Sequence, residues 1–425
     1  MKNLKLIMCA GAASLGLTWA GAAAADDQPA PPTTPPPAAA PATPPAPTPP
    51  PYPSMGPTLS NNASSASFDA GPFGKLTVNG VFSGTAYVQD NPGFDLDGRK
   101  NTDASADFTN AMVTVQKADG QFQFVIQAGA YSFPTVGTSY TKASRTTKDL
   151  FGVVPVAYAK WVPNSWFSLQ VGVLPTLIGA ELPFTYQNMN IERGLLWNQE
   201  PIVSRGVQAN VTKGPWAFSL SINDGWYSSE WTTISGLVTY TFKNSDTLTV
   251  AGSGNTSDNF KTCFNFPFCL SGNVIPGANG PIGTAVPLGG QGEGQIYNLI
   301  YTHTQGKWTI TPYAQYSYVP TSTFFGFSGS SYGGAILAKY SFTPEISLAG
   351  RVEYIGSSGH ANLLYGPGSN AWSFTITPTY QKGIFFARIE ASYVGVGSSS
   401  PGFELGANFD KKEQVRGFAE AGVIF

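Results

Sequence analysis

Residues 307–319 read KWTITPYAQYSYV. Trp308, Ile310, Ala314, Tyr316 and Tyr318 fall on one face of this segment, and Thr309, Thr311, Gln315 and Ser317 on the other. Successive side chains of a strand point to opposite sides, so the segment predicts a sheet with one apolar and one polar face. Working outward in both directions, the pattern repeats. Phe122, Phe124 and Ile126 oppose Gln121, Gln123 and Gln127, and Arg388 with Glu390 opposes Phe385, Ala387, Ile389 and Tyr393. A soluble sheet that buries one face alternates as well, so the number of such segments and their connections decide the fold.

Sixteen strands are expected from Lys75 onward, at 75–89, 105–117, 120–131, 151–162, 165–174, 203–213, 214–224, 230–243, 246–255, 294–305, 307–318, 331–342, 345–355, 370–381, 384–395 and 412–425. Each even strand is followed by a tight turn, such as Asp119-Gly120, Lys213-Gly214, Gln305-Gly306 or Lys382-Gly383, whereas the odd strands are mostly followed by long loops, of which only 225–229 is short. Short turns at one end and long loops at the other predict an all-β transmembrane antiparallel β-barrel of about 16 strands in a bacterial outer membrane, both ends lying on the periplasmic side. Closure satisfies every edge hydrogen bond in lipid.

The ends agree with export. MKNLK, an apolar run from Leu6 to Ala20 and the small residues GAAAA before Asp26 read as a signal peptide, residues 1–25. Residues 26–73 read as a flexible periplasmic linker, Pro/Ala-rich from 29 to 57 and then polar up to Gly71, followed by the barrel at 74–425. Without Lys2 and Lys5 the chain keeps 21 basic against 25 acidic residues, which argues against nucleic acid as a partner. Only 11% of residues are charged while 13% are aromatic and Gly numbers 48, as strands with one lipid-facing side require. The last strand ends in Val-Ile-Phe, resembling the terminal signature by which outer-membrane proteins are recognised for barrel assembly.

One segment breaks the alternation: LIGAELPFTYQNMNIERGLLWNQEP, residues 177–201. On the strand count it belongs to the third extracellular loop, 175–202, which is expected to fold into the lumen and constrict the pore with Glu181, Tyr186, Glu192, Arg193, Trp197 and Glu200. By parity, Lys339, Arg351, Glu353, Arg388, Glu390, Arg416 and Glu420 line the lumen wall, because a charge facing lipid at mid-membrane costs on the order of 2–4 kcal/mol. Arg205 shares the parity of Val203 and Val207 and is expected to face outward, above the membrane or within a subunit interface. Loop glutamates opposite wall arginines suggest an electrostatic slot; the plainer reading is that Glu192 and Arg193 only pin the loop to the wall. The stretch FTYQNMNIERGLLWNQEPIVSRGV, 184–207, resembles the OmpL-like β-barrel porins. That resemblance implies a porin of uncharacterised substrate, with trimerisation; passive diffusion of small hydrophilic solutes through a barrel set in outer-membrane lipid, without a cofactor, is the function expected.

Nothing in the chain reads as catalytic. There is no GxSxG or HExxH, and GQGEG at 290–294 lies in a long loop without a strand–turn–helix context. Cys263 and Cys269, in CFNFPFC, are expected to form a local disulfide, and no metal site is expected there or at His303 and His360. Two other functions stay open: a substrate-specific channel, for example for sugars stacking on Phe184, Tyr186 or Trp197, and an adhesin acting through outer loops such as 256–293.

Overall fold

A computed structural model of the chain describes residues 59–60, 65–93, 101–257, 294–321, 328–359 and 365–425. The signal peptide, most of the linker, His360 and the Cys263–Cys269 pair lie outside the described residues. A short strand β1 (Ala66–Asp69) precedes β2 (Lys75–Gln89), β3 (Ala104–Lys117), β4 (Phe122–Tyr131), β5 (Val156–Asn164), β6 (Phe167–Pro175), β7 (Val203–Lys213), β8 (Trp216–Asn223) and β9 (Thr233–Thr241). Then come β10 (Thr247–Asn255), β11 (Gln295–Gln305), β12 (Trp308–Val319), β13 (Gly329–Ser341), β14 (Ile346–Gly359), β15 (Asn370–Lys382), β16 (Phe385–Val396) and β17 (Glu413–Ile424).

Each strand from β2 to β17 pairs antiparallel with the next, and β17 pairs back with β2, from Arg416 opposite Gln89 to Ile424 opposite Val81. The sheet is therefore a closed barrel of sixteen strands. At the seam the backbone of Gly80 exchanges two hydrogen bonds with Phe425, and the Phe425 ring lies where a Cβ on residue 80 would stand, so a side chain there would have to displace the ring.

All sixteen expected strands form, with ends shifted by a few residues. The largest shift is at β5, which starts at Val156 and not near 151: a turn of helix α1 (Ala143–Thr146) runs on through Thr147–Phe151. The stretch 59–71, expected to be flexible, is partly ordered. Because β17 reaches β2 only from Val81 onward, residues 75–78 have an open edge, and β1 covers it. Leu59 is buried among Val81, Met112, Phe386 and Ile424.

The pleat sorts the side chains as the alternation predicts. On β16, Phe385 and Ile389 are 64% and 63% exposed while Arg388 and Glu390 are each 1% exposed. Trp372, Phe374 and Ile376 of β15 point outward and Ser373, Thr375 and Thr377 inward. Near the short turns, Trp166, Trp216, Phe242, Trp308 and Phe342 lie exposed on the outer surface, an aromatic girdle of the kind that marks a membrane interface. At that end the Asp246 carboxylate accepts a bond from the Tyr301 hydroxyl (2.5 Å) and lies 2.9 Å from His303 Nδ1; these bonds hold it below the usual carboxylate range.

Arg205 does face outward at the long-loop end of β7. It is paired with Asp224 (2.7 Å) and lies 3.9 Å above the Tyr227 ring, so its charge is compensated at the rim.

Candidate functional site

Residues 176–202 have little regular structure, only 3-10 turns at Thr185–Gln187 and Trp197–Gln199, yet nearly all of them are buried. A buried irregular backbone needs polar partners. Within the segment, the Asn188 amide closes residues 182–188, accepting from the Leu182 amide and donating to the carbonyls of Leu182 and Phe184 (2.7–2.8 Å). Arg193 donates to the carbonyls of Leu182, Pro183 and Ile191, and Glu181 accepts from the Gly194 amide at 2.7 Å. The preceding long loop adds a short bridge: the Arg193 amide donates to Pro134 and the Val136 amide to Arg193.

The remaining partners come from inward-facing side chains of the strands. Arg351 on β14 contacts Glu181 (2.7 Å), the Glu192 carbonyl (2.8 Å), Glu353 (3.1 Å) and Thr375 (3.2 Å). Glu353 in turn accepts from the amides of Leu195 (3.0 Å) and Leu196 (3.5 Å) and from Ser373 (2.7 Å). A Cβ on residue 194 would fall 2.0 Å from Glu353 Oε1, so the close approach of this carboxylate requires Gly194. On β16, Glu390 accepts from the Ile191 and Glu192 amides and from Thr377. Arg388 pairs with Glu420 and donates to the Asn188 carbonyl at 3.2 Å. Arg416 on β17 pairs with Glu192 at 3.0 Å and donates to the Thr135 carbonyl at 2.8 Å, tying the two long loops to one strand.

Of the thirteen residues singled out for the pore, nine therefore meet in one charged network. Glu181, Glu192 and Arg193 come from the segment, and Arg351, Glu353, Arg388, Glu390, Arg416 and Glu420 from β14–β17, while Glu200 is held apart from them by the Tyr313 hydroxyl of β12. Lys339 shares the inward face of β13 but sits half-buried toward the short-turn end. Trp197 and Tyr186 are aromatic packing partners elsewhere: Trp197 against Phe133 (5.9 Å), and Tyr186 stacked on Phe184 (6.1 Å) with its hydroxyl 2.8 Å from the Gln127 amide.

Several contributors were not singled out. Tyr313 lies on the inward face of the very segment that reveals the fold, and parity could have found it. Thr109 and Asn110 could not be found that way. A bulge in β3 opposite Ser83 and Gly84 turns both inward, where they bond Glu420 together with Ser83 and Thr185. Among the described residues no three His, Cys, Asp or Glu side chains converge as metal ligands do.

A closed sixteen-stranded antiparallel barrel with an apolar exterior and an aromatic girdle is the architecture of an outer-membrane porin. The chain matches the family model described as "Putative beta-barrel porin-2, OmpL-like" over residues 75–425 and belongs to that family. It is thus a β-barrel porin of the bacterial outer membrane. Among solved structures it resembles the trimer form of OmpT from Vibrio cholerae (10% identity, 82% of this chain and 99% of that one covered, TM-score 0.54). It also resembles an anion-selective porin from Comamonas acidovorans (9%, 82% and 99%, 0.51) and Salmonella typhi OmpF in complex with daunomycin (10%, 85% and 100%, 0.53). At such identities these likenesses concern the fold. No curated protein sequence matches the chain.

Proposed function

We propose that the barrel is a passive-diffusion channel for small hydrophilic solutes, narrowed by residues 175–202 folded into its lumen, and that it carries out no catalysis. The observation that carries this reading is the set of ion pairs joining Glu181 and Glu192 to Arg351 and Arg416 on the inward faces of β14 and β17. Those arginines, and Arg388, are at most 2% exposed, which supports reading the charges as a latch on the segment in place of an open electrostatic slot. Planar-bilayer recordings of the purified protein test it. We expect small, ohmic single-channel steps that become larger and noisier in an Arg351→Gln variant; absence of steps in the unaltered protein overturns the reading.

A homotrimer is part of the proposal. Around the seam the outward residues Gly84, Ala86, Ala106, Ala419 and Ala421 are small and adjacent in register, which permits close approach of another barrel. The trimer form of the Vibrio cholerae protein fits this, and the mass of the detergent-extracted protein checks it.

A further inference from the structure

Beside the charged network, inward residues of β2–β7, Ile424 of β17 and residues 182–187 line a partly open cavity of about 340 Å³. This is within the size of small-molecule sites, roughly 300–1,000 Å³. None of the eighteen described residues lining it carries a charge. Most of the lining is apolar, with Val81, Met112, Val125, Val156, Phe184 and Val203 from five strands and the segment. Phe184 and Tyr186 lie nearly parallel, at 14° between ring planes, and Tyr158 faces the same space. The polar groups present are neutral amides and hydroxyls, among them Thr114, Gln116 and Gln127.

We infer that this cavity is the solute-recognition site of the channel, and that it takes uncharged solutes carrying an aromatic ring on a polar body. The inference rests on the porin reading and adds the substrate class. A charged solute entering here loses hydration and meets no counter-charge, because the wall arginines and glutamates are already committed to one another and to residues 181–196. A fully polar solute of similar size leaves the valines and Phe184 unsatisfied by contact. A ring-bearing neutral solute buries its apolar face against them and keeps its hydroxyls for the amides.

Isothermal titration calorimetry on the full chain in detergent tests this without requiring conduction, with phenyl β-D-glucoside as the probe and methyl β-D-glucoside and benzoate as comparators. We expect saturable binding of the phenyl glucoside, about tenfold or more tighter than either comparator. Val125→Gln weakens it by removing apolar wall, and Thr114→Arg abolishes it by filling the site with a charge; both positions are half-buried on strands and outside the latch. Equal affinity for phenyl and methyl glucosides, benzoate binding as tight as the phenyl glucoside, or no saturable heat overturns the inference. Bilayer recordings run in parallel keep the two readings apart: ohmic steps with no phenyl preference leave the porin standing and remove the substrate class, whereas phenyl binding without steps does the reverse.

Discussion

The inner walls formed by β14–β17 and by β2–β7 face the same irregular segment and treat it in opposite ways. The first presents Arg351, Glu353, Arg388, Glu390, Arg416 and Glu420, and spends them on holding backbone amides, carbonyls and two glutamates of residues 181–196. The second presents valines, amides and hydroxyls, bonds the segment through few contacts such as Gln127 to Tyr186, and leaves an open space. The lesson is that inward charges in a barrel need not line the route of the solute. Where irregular backbone has to be held away from water, a charge on the wall supplies the strongest anchor at hand.

The contrast is broken most severely by removing one member of a buried pair. Arg388→Met leaves Glu420 without its cation, and losing one partner of a buried ion pair costs about 3–5 kcal/mol. The urea midpoint of the detergent-folded barrel should fall accordingly, and Arg388→Met combined with Glu420→Leu should recover much of the loss. A single variant as stable as the parent would mean that the charged wall is not an anchor.

Next in size is Gly194→Ala. The added methyl collides with the Glu353 carboxylate, which must withdraw from the Leu195 and Leu196 amides; buried donors left without partners cost about 1–3 kcal/mol. Hydrogen exchange should accelerate over residues 191–200 and remain slow in β3–β5. Exchange that rises equally on both walls would erase the distinction between them.

How much of this contrast was legible beforehand follows from what strands do to side chains. Strand parity alone placed Arg351, Arg388 and Glu420 inside and Phe385 outside, because the period of two is strict and a lipid-facing charge is costly. It also identified residues 175–202 as the exceptional segment. What parity lacked was distance. It leaves open whether Glu192 faces Arg416 across a slot or only pins the segment to the wall; the two are 3.0 Å apart, since which loop residue reaches which wall depends on a three-dimensional path through Asn188, Arg193 and residues 134–136. The bulge at Thr109 was equally hidden, one extra residue being invisible in a run that alternates on both sides of it.

A smaller effect separates the walls electrically. Thr114→Lys places a cation in the uncharged cavity, and under a salt gradient the reversal potential should move toward anion preference, more at low salt, where the screening length grows from about 10 Å at 0.1 M to 30 Å at 0.01 M. Removing Lys339, half-buried near the short turns, should move it less. If the Lys339 change dominates, the solute route runs along β13 and not along β2–β7.

The smallest expected effect is the most discriminating for the open wall. Tyr186→Phe deletes the hydroxyl that accepts from Gln127 at 2.8 Å and leaves the ring stacked on Phe184. A typical hydrogen bond contributes a net 0.5–1.5 kcal/mol, roughly, and here the loss falls at the low end, because Gln127 lines the cavity and its amide can turn to water there. Stability should drop by a fraction of what Arg388→Met costs, and single-channel conductance should stay near the parent value, since the ring that shapes the cavity is unchanged. If instead Tyr186→Phe loosens residues 182–188 as strongly as Gly194→Ala loosens 191–200, the segment is held as firmly by the uncharged wall as by the charged one. The asymmetry between the two would then lie in chemistry alone and not in anchoring.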